Sequence, residues 1–193
     1  MSTWFSFIIS ILSFIVSVLT IWLTFFRKGH LKMTKPTIIF FGPDGPKYDG
    51  GFNKIYLRTL FYSTSKSGQV IESLYVSINR NESKQNFSIW IYGEKGNLKR
   101  GSGIFIPMEG VTYDHNFLLP RDGFSFDFLP GLYKLNIFAK IVGKTKADLL
   151  CSVDLDISEK QSSELKENGT GIYFDWGPDQ QKYYSHIERL NDF

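Results

Sequence analysis

Residues 132–142 read LYKLNIFAKIV, and their alternating pattern decides how the folded part of this chain is built. Leu135, Ile137 and Ala139 alternate with the polar residues Lys134, Asn136 and Lys140. Successive side chains of a β-strand point to opposite faces of its sheet. The pattern therefore predicts a strand with one buried face and one face in water.

Similar runs of strand length recur on both sides of this segment, separated by residues that favour turns. The predicted strands are 37–41, 55–62, 70–78, 87–92, 104–108, 111–119, 124–129, 132–142 and 149–157. A content of 42% hydrophobic and 17% aromatic residues excludes an intrinsically disordered chain. Seven to nine short strands with no long helix between them predict an antiparallel, immunoglobulin-like β-sandwich over 37–157.

The residues that lead into the quoted strand resemble one corner of an immunoglobulin-like domain. Residues 129–135 read LPGLYKL, similar to the approach to strand F, where a tyrosine corner precedes the core. The resemblance implies that Tyr133 is that tyrosine. Leu135 stands where true immunoglobulin domains have their second cysteine, and the chain has a single cysteine, so the disulfide is missing.

The C-terminal part, residues 158–193, is predicted to hold one more strand near 172–176 and a short amphipathic helix. Tyr183, Tyr184, Ile187 and Leu190 have helical spacing, and Asp179 is placed to cap that helix. We expect the helix to close one end of the sandwich. Alternatively, its aromatic residues bind a protein partner, for which the residues Trp176, Tyr183 and Tyr184 are the candidates.

Residues 1–26 form an apolar segment of a different kind. Residues 4–26 read WFSFIISILSFIVSVLTIWLTFF and contain no charge, glycine or proline. At about 1.5 Å per residue they extend about 35 Å, enough to cross a hydrocarbon core of about 30 Å. A cleaved signal peptide would need a basic start, a shorter apolar core and a cleavage site. The segment therefore predicts a single transmembrane anchor, followed by a basic linker at 27–36.

The charges beside the anchor predict its orientation. Arg27, Lys28, Lys32 and Lys35 follow the anchor, and positive residues stay on the cytoplasmic side of a membrane. These cations either act only as a topology signal or also bind lipid headgroups. We expect a cytoplasmic C-terminal domain, and a bacterial inner membrane is the expected location. The lone Cys151 fits a reducing compartment.

The polar residues of the anchor follow a heptad pattern. Their spacings are 4, 3, 4, 3 and 4, which places them on one stripe of the helix. The stripe consists of Ser6, Ser10, Ser13, Ser17, Thr20 and Thr24. Small hydroxyl residues let helices approach closely and hydrogen-bond, which predicts a homo-oligomer or a partner transmembrane helix. In the alternative interpretation each hydroxyl bonds a carbonyl one turn back and needs no partner.

No pattern of residues in the chain is typical of catalysis or of a metal site. The three histidines, His30, His115 and His186, have no ligand spacing, and Cys151 lies in an apolar run. Asp154 and the next acidic residue share the solvent side of one strand. We therefore expect no enzyme activity, no metal and no cofactor, and a net charge of +3 gives no reason to expect nucleic-acid binding.

A basic, glycine-rich stretch is the remaining candidate for a small ligand. Lys99, Arg100, Gly101, Ser102 and Gly103 could direct backbone N–H groups and two cations at an anion such as a nucleotide. The stretch lacks the pattern of a nucleotide-binding loop and no helix follows it. The simpler interpretation is a basic hairpin turn.

Three functions are compatible with these observations. The first is a non-catalytic recognition or adaptor subunit of a membrane-associated assembly, with a protein partner and contact to membrane lipid. The second is an oligomerising transmembrane effector that permeabilises the membrane, an architecture that resembles the effectors of bacterial anti-phage defence. The third is hydrolysis or group transfer by Asp114 and His115. We expect the first.

Overall fold

The computed structural model of the chain describes residues 2–26, 29–44, 53–94, 97–120 and 126–189. An apolar helix, α1, is followed by eleven strands, a short helix and two more strands within these ranges. The helices are α1 (Ser2–Ile21, continued by a π-helical turn Trp22–Phe26) and α2 (Glu159–Glu164). The strands are β1 (Leu31–Met33), β2 (Ile38–Pro43), β3 (Asn53–Ser63), β4 (Gln69–Arg80), β5 (Ser83–Phe87), β6 (Ile89–Glu94), β7 (Asn97–Arg100), β8 (Ile104–Ile106), β9 (Val111–Leu118), β10 (Gly131–Ile141), β11 (Asp148–Ile157), β12 (Thr170–Gly177) and β13 (Lys182–Arg189).

The strands form two antiparallel sheets, which confirms the mainly β fold. Sheet A has the order β13-β12-β2-β3-β9-β6-β7, and β1 also pairs with β3. Sheet B has the order β11-β10-β4-β5, and β8 also pairs with β4. The apolar sides of the two sheets face each other and form a β-sandwich. Because β1, β12 and β13 belong to sheet A, the sandwich extends beyond the expected bounds of 37–157.

The alternation in β10 produces the buried face that the sequence predicts. Tyr133, Leu135 and Ile137 are almost fully buried, whereas Leu132 and Lys134 are exposed. The hydroxyl of Tyr133 donates to the carbonyl of Leu129 at 2.7 Å, as expected for a tyrosine corner. The Tyr133 ring also makes an edge contact with Phe41 at 6.3 Å, which joins the corner to the centre of the core.

Two predicted elements are wrong. Residues 182–189 form strand β13 instead of a terminal helix, and β13 pairs with β12 along its whole length, from Lys182 opposite Gly177 to Arg189 opposite Thr170. The apolar spacing at Tyr183 and Ile187 fits a helix, but an adjacent strand supplies the backbone partners and overrides it. Leu190 lies outside the described residues. The short helix of this region is α2, where Ser158 and Gln161 form a capping box.

The predicted strand 124–129 is the second correction. Residues 126–129 form a loop rather than a strand, and the two preceding residues lie outside the described ranges. The rings of this loop still enter the core, because Phe126 packs against Phe87 and Phe128 stacks on Phe41. The apolar pattern therefore marks burial here without marking a strand.

One helix among the described residues is long and apolar enough to cross a membrane. It covers Thr3–Thr24, a length of about 33 Å at 1.5 Å per residue, and none of its most apolar window is buried within the chain. The described side chains of α1 are exposed, so the sandwich does not cover this helix. Its apolar surface is therefore available to lipid or to other helices.

Candidate functional site

Three of the six hydroxyls in the stripe are bonded within their own helix. The hydroxyls of Ser10, Ser17 and Thr20 donate to carbonyls four residues earlier at 2.7–2.9 Å. Ser6, Ser10, Ser13, Ser17, Thr20 and Thr24 lie within a narrow arc of the helix at about 100° per residue. The arrangement satisfies three hydroxyl protons without a second helix, and association along the stripe stays a prediction.

The basic residues after the helix have different environments. Lys32 is exposed on β1, whereas the ammonium of Lys35 lies 4.2 Å from the ring centre of Trp176, a cation–π contact. Arg27 and Lys28 lie outside the described residues. Lys35 therefore belongs to the folded domain, in contact with one of the aromatic residues predicted to bind a partner.

The basic stretch 99–103 is tied to the neighbouring strand by its backbone. Lys99 and Arg100 are exposed at the end of β7, and the N–H of Gly101 donates to the carbonyl of Trp90 at 2.8 Å. A side chain at Gly101 would overlap the Trp90 ring, so close packing explains this glycine. Ser102 is exposed, and the carbonyl of Gly103 accepts from the Tyr92 hydroxyl at 3.0 Å. Anion binding by this stretch stays a prediction.

The side chains of Asp114 and His115 point to opposite faces of sheet A. Asp114 points to the outer face of sheet A, where the Tyr56 hydroxyl donates to it at 2.9 Å and Arg58 lies at 3.5 Å. His115 points into the core, where its Nδ1 accepts from the indole N–H of Trp90 at 3.1 Å. Its Nε2 is buried with no hydrogen-bond partner. Burial lowers the pKa of His115 from 6.5 to about 3, so the imidazole is neutral at physiological pH.

A cleft lies between the edges of the two sheets. Strand β11 is the outermost strand of sheet B and β13 is the outermost strand of sheet A, and both line the cleft. Its volume is about 680 Å³. An edge strand has backbone N–H and C=O groups without a neighbouring strand to bond them. We call this space the edge cleft.

Trp176 and Tyr183, two of the residues predicted to bind a partner, form one side of the edge cleft, which we call the aromatic wall. The rings of Trp176 on β12 and Tyr183 on β13 lie 5.0 Å apart, because these residues are opposite each other in the two strands. The Tyr183 hydroxyl donates to the carbonyl of Pro36 at 2.8 Å, which holds the wall against the segment between β1 and β2. Tyr184 points away from this wall, and the ammonium of Lys182 lies 4.7 Å from its ring centre.

The polar lining of the edge cleft comes from both sheets and from α2. Asp154 and Asp156, exposed on β11, and the cations Lys35 and Lys182 belong to this lining. The side-chain amide of Gln161 on α2 donates to the Ser185 hydroxyl at 2.9 Å across the cleft. Ser152 and Ser158 add two more hydroxyl groups to the lining. The site can thus accept apolar, charged and hydrogen-bonding groups together.

The two titratable groups beside the aromatic wall stay protonated at neutral pH. Burial raises the pKa of Cys151, although the nearby charge of Lys35 lowers it in part. Burial also raises the pKa of Tyr183 far above neutrality. A thiol or phenol in this state is a weak nucleophile. The described residues contain no group of three or more His, Cys, Asp or Glu side chains that could hold a metal ion.

Sequence reasoning found Trp176, Tyr183 and the solvent-facing carboxylates, but it missed the cleft that they line. The missing signal was strand pairing, because Lys35, Gln161 and Ser185 line one cleft only when β13 is a strand beside β12. Comparison of the chain with protein-family models, with curated proteins and with solved structures finds no match.

Proposed function

We propose that this chain is a single-pass, membrane-anchored recognition subunit whose domain binds a protein partner in the cytoplasm. The observation that carries the proposal is the edge cleft, in which two sheet edges flank an aromatic wall. A partner segment in extended conformation can add to a free sheet edge through backbone hydrogen bonds. Its side chains would then contact Trp176 and Tyr183, aromatic residues of the kind that dominate binding energy at interfaces.

The proposed anchor and the proposed cleft support each other. A domain fixed to the inner face of a membrane meets membrane-bound partners at a raised effective concentration, so a site of modest affinity suffices. The cytoplasmic orientation rests on Arg27, Lys28, Lys32 and Lys35, which follow the helix. Protease added outside intact cells should leave the domain intact, and digestion of the domain would contradict this orientation.

Photo-crosslinking in native membranes tests the cleft. A photoreactive residue at Ser152 or Ser185, both exposed in the cleft, should capture the same partner protein. A photoreactive residue at Lys99, exposed on β7 at the opposite edge of sheet A, is the control and should not capture it. Trp176→Ala should reduce capture at Ser185 at least tenfold, and Trp176→Phe should reduce it less. Equal capture at all three positions, or capture at Ser185 that Trp176→Ala does not reduce, would overturn the proposal.

The alternative function is an oligomerising effector that permeabilises the membrane, and the narrow hydroxyl arc of α1 is the observation in its favour. Replacing Ser10, Ser13 and Ser17 with leucine removes the arc and keeps the helix apolar. In the effector function this triple variant should lose both clustering and toxicity, whereas in the recognition function partner capture should persist. Overexpression that never depolarises the membrane would eliminate the effector function.

A further inference from the structure

The chain enters the sandwich at a point that the anchor keeps close to the membrane. The carbonyl of Gly29 accepts from the side-chain amide of Gln69 at 3.3 Å, and Gly29 packs tightly against Ser65. Two residues separate Gly29 from Phe26, the end of the π-helical turn. Three Cα–Cα steps of about 3.8 Å reach at most about 11 Å. The end of the sandwich around Gly29 must therefore lie within about 11 Å of the end of the helix.

The same end of the sandwich exposes four large apolar side chains. Between 40% and 58% of the surface of each is accessible to solvent. The four are Val70, Phe105, Met108 and Val142, and we call them the juxtamembrane patch. An apolar cluster in water is unusual on a soluble surface and indicates a contact with another apolar phase.

Three of the four side chains are adjacent through backbone pairing. Val70 on β4 lies opposite Phe105 on β8, and the N–H of Val142 donates to the carbonyl of Val70 at 2.9 Å. Met108 follows Pro107, whose carbonyl accepts from the N–H of Ser63 at the end of β3. The patch is thus formed where strands β3, β4, β8 and β10 begin or end.

Close packing joins the patch to the entry point of the chain. The ring of Phe105 lies directly over Gly68, where a side chain would collide with it and where φ is +70°. The N–H of Gly68 donates to the carbonyl of Ser65 at 3.0 Å, and Ser65 is the residue that packs against Gly29. Phe105 is therefore connected through Gly68 to Ser65, the residue against which Gly29 packs.

Exposed lysines lie in the two turns beside the juxtamembrane patch. Lys66 is in the turn between β3 and β4, and Lys144 and Lys146 are in the turn that follows Val142. Of the nearby carboxylates, Asp148 is bonded to Lys144 at 2.6 Å, Glu72 is bonded to Lys140 at 2.7 Å, and Glu109 is exposed beside Met108. Apolar side chains with a surplus of lysines are the composition of surfaces that bind anionic membranes.

We infer that the juxtamembrane patch inserts into the headgroup region of the membrane that α1 crosses, with the surrounding lysines bound to anionic lipids. The inference rests on the proposed anchoring and adds a second lipid contact, made by the folded domain. Headgroup regions are about 5–8 Å thick on each side of the hydrocarbon core, which matches the reach of the two-residue connection. Seating the patch fixes the tilt of the domain and so the direction in which the edge cleft faces.

Quenching by brominated lipids tests the inference on the full-length protein. The protein is placed in vesicles of phosphatidylcholine with a third of phosphatidylglycerol, in a Cys151→Ser background. A bimane fluorophore is attached at Phe105→Cys, at Val142→Cys or at the control Leu132→Cys. Leu132 is exposed on the same strand that leads to Val142, about 33 Å away at about 3.3 Å per residue. Bromine near the headgroups should quench the first two labels at least twofold more than the control.

The role of the lysines is tested with the triple variant Lys66→Glu, Lys144→Glu and Lys146→Glu. In this variant the extra quenching at Phe105→Cys should fall at least twofold, and vesicles without phosphatidylglycerol should reproduce that loss with the original lysines. Equal quenching at the patch and at the control would overturn the lipid contact. Unquenched patch labels that crosslink between copies would assign the patch to a second copy of the chain.

Alkaline extraction distinguishes failure of this inference from failure of the proposed anchor. If the protein stays in the vesicles at high pH while the patch labels are unquenched, the anchor holds and the patch contact is wrong. If the protein is extracted, the anchor is wrong and the patch contact is rejected with it. Thermal unfolding of each labelled variant, compared with the unlabelled background, verifies that the exposed substitutions leave the domain folded.

Discussion

Helix α1 and strand β10 are both rich in apolar residues, and they use them in opposite ways. The apolar side chains of α1 lie on every side of the helix except the hydroxyl stripe and are exposed, whereas in β10 every second side chain is buried. A continuous apolar surface needs an apolar medium around it, and an alternating one needs only a second sheet. The arrangement of apolar residues along the chain, more than their number, thus decides which medium covers them.

The strongest test of this comparison introduces charge into the helix. Leu12→Arg together with Val16→Arg should oppose membrane insertion by about 5–7 kcal/mol, because each arginine at the centre of a spanning helix costs about 2.5–3.5 kcal/mol. We expect the double variant to be extracted at alkaline pH, while Leu132→Arg on the domain surface stays in the membrane. Retention of the double variant would show that α1 does not hold the chain by apolar contact with lipid.

The second test removes an apolar side chain from the interior of the sandwich. Phe41→Ala should lower the free energy of unfolding by about 3–5 kcal/mol, because Phe41 is fully buried and packs against Phe128 and Phe174. The control is Phe138→Ala on the outer face of sheet B, where the ring stacks on Tyr75 and should contribute about 1 kcal/mol. Urea unfolding measures both, and equal losses would show that the outer face of sheet B is covered as fully as the core between the two sheets.

The third test measures the free energy of unfolding as a function of pH. It reports on the burial of His115, a polar group among apolar side chains. The unfolded chain protonates His115 below a pKa of 6.5, but burial delays this step in the folded chain to about pH 3. Acid therefore favours the unfolded state, and the stability that is complete above pH 6.5 decreases as the pH falls toward 3. Between pH 7.5 and 5.0 the expected loss is about 2 kcal/mol, at about 1.4 kcal/mol per pH unit below 6.5.

The variant His115→Asn isolates this titration. Asparagine keeps an acceptor for the Trp90 indole but does not titrate, so its unfolding free energy should change about 2 kcal/mol less over this pH range. A slope unchanged by His115→Asn would show that the imidazole is already accessible to protons in the folded chain.

The smallest expected effect concerns a single hydrogen bond at the edge of the core. Tyr133→Phe removes the hydroxyl that donates to the Leu129 carbonyl and should lower the free energy of unfolding by about 1 kcal/mol. Tyr75→Phe, on the outer face of sheet B, should change it by less than about 0.5 kcal/mol. Equal effects would indicate that the tyrosine corner does not stabilise the turn into β10.

The predicted and observed structures agree where a sequence pattern depends only on which of a few neighbouring residues are buried. The alternation in β10 and the sequence before it placed Tyr133 and its hydrogen bond correctly, because both depend on residues four positions apart or fewer. They differ at Tyr183 and Ile187, where one spacing fits a helix and a strand equally and β12 decides between them. Phe126 and Phe128 show the same limit, since rings from a loop can fill a core as well as rings from a strand.

An apolar helix long enough to cross a membrane and a β-sandwich could both be predicted from the sequence, because both depend on the periodicity of apolar residues. The contacts across the edge cleft and around the juxtamembrane patch depend instead on the packing of the folded chain. Trp176 contacts Lys35 from the segment between β1 and β2, and Phe105 lies opposite Val70 by strand pairing, in both cases over long separations in the chain. Local patterns do not contain such contacts, since many pairings bury the same apolar faces and only the packing of both complete sheets selects one.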